Sequence, residues 1–251
     1  MLPALLLVAI LLCLGWFVRN DGADYRAFKQ LTESSARQSA FRRWTLRSFL
    51  FFGGGAVAAL LVIGRIEALW ILPPEFAGLA SIIGERLSED GGGDVSKGLL
   101  IGVCVALLAG GILGGLLAAF RRKDKPEGAL KVGDIEPLFP RNREERRWTA
   151  LLAANAGPGE ELFFRLMLPL LATMATGSAA LAFAVSALIF GLVHFYQGWA
   201  GILGTTLAGA LFTGLYLATG SIWVPVVLHS LMNLNTLWLR PWLGELRRRE
   251  S

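Results

Sequence analysis

Charge is scarce in this chain. Asp, Glu, Lys and Arg make up 17% of its 251 residues, against about 25% in soluble domains. No polar stretch is long enough to bury a core of its own, which excludes a separate soluble domain. Cysteine is limited to two residues, Cys13 and Cys104. They lie in different apolar runs and read as packing residues, not as a disulfide or a metal pair. The N-terminus lacks the basic stretch and small-residue cleavage site of a secretory signal, so the run 2–18 reads as a retained helix. The net charge of +5 does not point to nucleic acid, because the Lys and Arg residues flank apolar segments, where they set topology and meet lipid head groups.

Apolar residues are plentiful, at 54%. They fall in long runs separated by short charged loops, the pattern of a membrane protein. The expected fold is all-α, a polytopic transmembrane helical bundle of about seven spanning helices plus short interfacial helices. The expected spans are 2–18, 48–64, 98–120, 148–174, 178–196, 199–219 and 222–239. Each approaches the roughly 20 residues that cross about 30 Å of hydrocarbon. The chain divides into an N-terminal membrane region (1–147, three spans with basic loops), a helical core (148–239) and a basic tail (240–251).

Loop charge orients these spans. The loops 19–47 and 121–147 and the tail carry most of the Lys and Arg, whereas 65–97 carries six acidic residues against three basic ones. Seven spans place the basic loops on one side, which is cytoplasmic by the positive-inside rule, and the N-terminus outside. Trp16, Trp44, Trp70, Trp148, Trp199, Trp223, Trp238 and Trp242 all fall near span ends, where an indole meets lipid and water together. Within 22–45, Tyr25, Phe28, Leu31, Phe41 and Trp44 recur at helical spacing among basic residues, which predicts a helix lying on the membrane. A shorter surface helix is expected at 75–88, followed by a flexible Gly-rich connection at 88–94. Gly53 to Gly55 and Gly110, Gly111, Gly114 and Gly115 read as close-packing surfaces. They lack a phosphate-binding spacing.

A few polar residues interrupt the apolar runs and need a reason to be there. Glu160, Glu161 and Arg165 lie in the fourth expected span. Glu161 and Arg165 are four apart and share a helix face, so they form a packing ion pair. Glu160 lies about 100° around the helix, and that pair does not explain it. A second carboxylate beside a paired one is suited to exchanging protons. His194 closes the next span. His229 and Asn233, four apart on one face of the last span, offer two donors at one place, as an oxyanion site requires. Asn155 and Asn235 read as structural. Buried polar groups must find partners, so these faces are expected to converge around water. They supply a base, a second proton carrier and an oxyanion site, the parts for water attack on a peptide carbonyl.

The sequences Glu-Glu-x-x-x-Arg at 160–165, Phe-x-x-x-His at 190–194 and His-x-x-x-Asn at 229–233 resemble the three motifs of the CPBP family, which takes in CAAX prenyl endopeptidases and bacteriocin-processing enzymes. The resemblance covers roughly 148–239 and marks that core as catalytic. It implies a metal-independent glutamic-type intramembrane protease without a cofactor. Glu160 and His194 would activate water, His229 and Asn233 would stabilise the oxyanion, and Glu161, Arg165 and Phe190 would support them. The implied partners are the bilayer and a membrane-anchored protein or peptide substrate. The expected location is a bacterial cytoplasmic membrane.

Three other readings stand beside this one. A zinc peptidase would use Glu160, His194 and His229 as ligands, but there is no His-Glu-x-x-His spacing and Arg165 disfavours a cation. A proton-coupled transporter would show an inverted repeat, and none is visible. A non-catalytic scaffold or immunity protein of the same fold keeps the same residues. For the protease, Gly157, Pro158 and Gly159 are expected to break the fourth span, leaving 148–156 at the interface and starting the crossing helix at about 159. The pocket would then open to the cytoplasm.

Overall fold

The structure, a computed structural model, describes residues 1–89, 102 and 134–243. The expected span 98–120, the loop residues 121–133, Cys104 and the arginines of the tail lie outside the described residues. The described residues are mostly helical, without a strand, and form an all-α membrane bundle.

The first helix, α1 (Leu2–Val18), is uniformly apolar and ends where Arg19 and Asn20 begin. A short helix α2 (Asp21–Lys29) follows. Then α3 (Ser34–Ser48), a π turn (Phe49–Gly54) and α4 (Gly55–Val62) form one continuous rod. An amphipathic helix α5 (Pro74–Glu89) follows a single 3-10 turn. The second half comprises α6 (Arg143–Glu161), a π turn (Leu162–Met167) and α7 (Leu168–Thr176), again one rod, then α8 (Ala179–Val193), α9 (Gly198–Thr219) and α10 (Trp223–Leu234), with a last π turn (Asn235–Leu239).

Among the described residues four helical stretches are long and apolar enough to cross a membrane: Leu2–Lys29, Ser34–Val62, Ile66–Arg86 and Phe195–Thr219. Ala179–Val193 is apolar but shorter. The third of these was expected as an acidic outer loop with a surface helix. Instead α5 packs on α7, α8 and α9, with Phe76 fully buried against the rings of Phe183 and Tyr216.

Two expectations are corrected. First, Gly157-Pro158-Gly159 does not break the helix: α6 runs through Pro158 to Glu161. A proline removes one amide hydrogen and frees the carbonyl four residues earlier. That carbonyl, of Ala154, accepts a hydrogen bond from Ser230 on α10 (3.4 Å), so the facing helix supplies the missing partner. The glycines serve packing. A Cβ on Gly157 would lie 2.8 Å from the Val226 carbonyl oxygen and 2.9 Å from the Ser230 amide nitrogen. One on Gly159 would meet Phe52 and Gly53 of the π turn at Phe49–Gly54. Second, the aromatic residues of 22–45 do not lie on lipid. They belong to two helices, and Tyr25, Phe28 and Phe41 are buried with Leu138 against Trp44, Trp148, Leu152 and Tyr196. The basic character of this segment is partly internal. Arg37 is fully buried, its Nε 3.0 Å from Glu145 Oε2 and its Nη2 donating to the carbonyls of Pro137 and Phe139. Glu145, capped by Asn142 at the start of α6, also accepts the Arg141 amide. The helix beginning at Arg143 runs across the expected boundary at 147.

Candidate active site

All six residues of the π turn at Leu162–Met167 are buried. Insertions of this kind recur at functional sites. Its backbone is served by a neighbour: Ser186 Oγ of α8 donates to the Phe164 carbonyl (2.5 Å). Glu160 and Glu161 sit at the last turn of α6, immediately before it.

Glu161 is fully buried and has two partners. Its Oε2 lies 3.2 Å from Arg165 Nε, the i,i+4 ion pair that the spacing predicts. Its Oε1 accepts the Nδ1 hydrogen of His229 at 2.6 Å. The spacing alone did not show this second bond. With Nδ1 given to Glu161, Nε2 is the ring atom left free to act. It lies 3.8 Å from Glu160 Oε2, within charge-pairing range but beyond a hydrogen bond. His229 therefore stands between the two carboxylates, its ring stacked on Phe212 with centroids 5.2 Å apart.

His194 is held by the end of its own helix. The His194 amide turns to the Gly191 carbonyl (3.1 Å), so the Phe190 carbonyl is left for the ring. His194 Nδ1 donates to it at 2.7 Å, which frees Nε2. Phe190 also acts through its side chain. Its ring lies 4.0 Å from the Arg165 guanidinium, a cation–π contact that holds the charge where lipid would not. Arg165 also needs Gly209, where a Cβ would fall 3.2 Å from its Nη2. The Phe-x-x-x-His pattern thus links the arginine and the histidine through one residue.

Glu160 and His194 line the same cavity, of about 160 Å³. It lies at the end of the bundle where α1 and α8 finish. Its lining includes the apolar residues Phe17, Val18, Phe52, Phe164 and Val193. It also includes the polar residues Asp21, Tyr25, Arg47, Ser48 and Tyr196. Arg47 donates to the Phe17 carbonyl (3.1 Å) at the end of α1 and pairs with Asp24 (3.4 Å) and Asp21 (3.8 Å). The N-terminal region therefore builds part of the wall, which no motif in residues 1–147 announced. The one signal in the sequence was the pairing of Asp21 and Asp24 with a basic residue where α3 enters the apolar run. Asn233 is half-buried one turn beyond His229, is not part of this wall, and its side chain makes no hydrogen bond with another described residue. Among the described residues no group of three His, Cys, Asp or Glu side chains is placed to hold a metal ion.

Residues 144–235 match the family model "Type II CAAX prenyl endopeptidase Rce1-like". The chain matches no curated protein and no solved structure.

Proposed function

We propose that the chain is an intramembrane endopeptidase that hydrolyses a peptide bond of a membrane-anchored protein or peptide with water activated by Glu160 and His194; the match of residues 144–235 to the Rce1-like model, of a protease family, supports this reading. The observation that carries this reading is that these two residues, from different helices, share one cavity.

The chemistry follows from the free atoms. Glu160 takes a proton from a water held between it and His194 Nε2. The water oxygen attacks the scissile carbonyl carbon, and negative charge gathers on the carbonyl oxygen. His229, protonated on both nitrogens with Nδ1–H on Glu161 and Nε2–H turned to the substrate, stabilises that charge together with Asn233 one turn beyond it. On collapse the carbon–nitrogen bond breaks, and Glu160 returns the proton to the leaving amine, so atoms and charge balance. Neither a metal nor another cofactor enters. Arg165 and Phe190 keep Glu161 and His194 in place.

By loop charge the cavity end of the bundle is the cytoplasmic side of a cytoplasmic membrane, bacterial in setting, with the N-terminus outside and the C-terminus inside. The mixed lining, with apolar and polar residues together, suits a peptide that carries an apolar anchor. The test is cleavage by purified protein in detergent, before and after dialysis against a strong chelator. Activity that survives chelation and is lost in Glu160→Gln supports the reading. Stoichiometric zinc, with activity lost on its removal, moves the assignment to a metallopeptidase. Comparing membrane proteomes of wild type and Glu160→Gln cells identifies the substrate as the protein that keeps its uncut end.

A further inference from the structure

The proposed oxyanion site is short of donors on the cavity side, because neither His229 nor Asn233 is part of the wall. Tyr196 is part of it. It lies two residues after His194, its ring centroid 5.9 Å from the His194 ring at a 33° tilt. It also packs against Tyr25, with centroids 5.1 Å apart. What matters is the direction of its hydroxyl. Gln197 Nε2 donates to the Tyr196 oxygen at 3.0 Å. A phenol that accepts from an amide still has its own hydrogen to give. No described residue takes that hydrogen, and the side chain lines the cavity shared by Glu160 and His194.

We infer that Tyr196 is a further catalytic residue, its hydroxyl donating to the oxyanion of the proposed peptidase reaction, with Gln197 as the positioning residue that sets the hydroxyl's direction. The inference rests on the peptidase reading. A neutral phenol suits this role. It stays protonated at neutral pH, offers one donor, and has no charge to desolvate before substrate arrives. The ring contacts both His194 and Tyr25, so the hydroxyl is held in place before reaction, as such stabilisation requires. The turn that carries it is itself pinned. The Gln197 amide bonds the His194 carbonyl (2.9 Å), and the Gln197 carbonyl accepts the Asp134 amide (3.2 Å).

Two variants separate the hydroxyl from the ring. Tyr196→Phe keeps both ring contacts and deletes the donor. Gln197→Glu keeps the tyrosine but replaces the amide donor with an acceptor, which draws the hydroxyl hydrogen away from the cavity. The probe is an internally quenched peptide ending in a farnesylated C-a-a-X box, with melting temperature measured alongside. Each variant is expected to lower kcat by roughly 10²-fold, the scale of one lost oxyanion donor, with KM little changed. The double variant is expected to be no worse than Tyr196→Phe alone, because both changes remove one interaction. Wild-type kcat in a folded Tyr196→Phe protein, or a loss confined to KM, overturns the role of Tyr196. If Tyr196→Phe fails to fold, unchanged kcat in Gln197→Glu overturns it instead. A wild type that cleaves nothing, or a Glu160→Gln variant that cleaves as fast as wild type, overturns the peptidase reading and the Tyr196 role with it.

Discussion

Adjacent carboxylates with different surroundings are the sharpest feature at the scale of single residues. Glu160 faces the cavity, whereas Glu161 is sealed between Arg165 and His229. Glu160→Gln keeps the shape and removes the proposed base. Melting is expected to stay near wild type, while turnover falls by at least the roughly 10²–10⁴ typical of a lost general base. Glu161→Gln leaves a buried guanidinium without its counter-charge and loosens His229. A loss of stability of about 3–5 kcal/mol is expected, with activity per folded molecule also reduced. Purified variants compared by melting and by cleavage of one peptide decide between these roles. Full activity in Glu160→Gln beside a folded but dead Glu161→Gln would reverse them. The Glu161–Arg165 pair was legible in the sequence because i,i+4 spacing is a local property. The bond from His229 to Glu161 was not, since 68 residues separate the partners and only the packing of α10 on α6 brings them together. Phe190 was legible as a motif position, but its carbonyl and ring contacts depend on where α8 ends and where Arg165 points.

Between helices, the decisive contacts are made by the smallest side chains. Gly157 allows α6 to touch α10, and this contact sets the distance from the carboxylates to His229. Gly157→Ala puts a methyl group within 3 Å of two backbone atoms of α10, an overpacking that costs about 1–3 kcal/mol. A lower melting temperature and reduced turnover are expected together. An unchanged melting curve would show that α10 shifts freely and that Gly157 does not set the site. The Gly-Pro-Gly triplet illustrates a limit of local reading. The residues are ordinary helix breakers, yet Ser230 supplies the bond that Pro158 removes, and the glycines answer to neighbours on either side. A second link between elements is the buried Arg37–Glu145 pair, which ties α3 to the first turn of α6. Arg37→Ala is expected to cost about 3–5 kcal/mol by stranding Glu145. Adding Glu145→Ala should recover part of that loss, a coupling that a double-mutant thermal series measures directly. No recovery would mean that the pair does not act as a unit.

The whole molecule has two chemically different ends, and its orientation follows from them. At one end α1 finishes, α2 and the first turns of α3 fold over the segment 134–147, and Arg19, Arg26, Lys29, Arg42, Arg43, Arg141, Arg143 and Arg147 gather. The cavity is at this end. At the other end Trp70 stacks on Trp223 (5.3 Å), whose Nε1 donates to the Leu69 carbonyl (2.8 Å), and cationic residues are few. Positive loops stay on the cytoplasmic side, so the cavity is expected to face the cytoplasm. Because α1 is then crossed outward to inward, Met1 is expected outside. A variant without Cys13 and Cys104 gives a clean background for the test. In that background Ser35→Cys, exposed on α3, is expected to resist a membrane-impermeant maleimide applied to intact cells. Ala175→Cys, exposed at the end of α7, is expected to react. After the membrane is opened both should label equally, which controls for burial. The opposite pattern would place the cavity outside, and Glu160 and His194 would then meet substrates whose cut ends face the exterior.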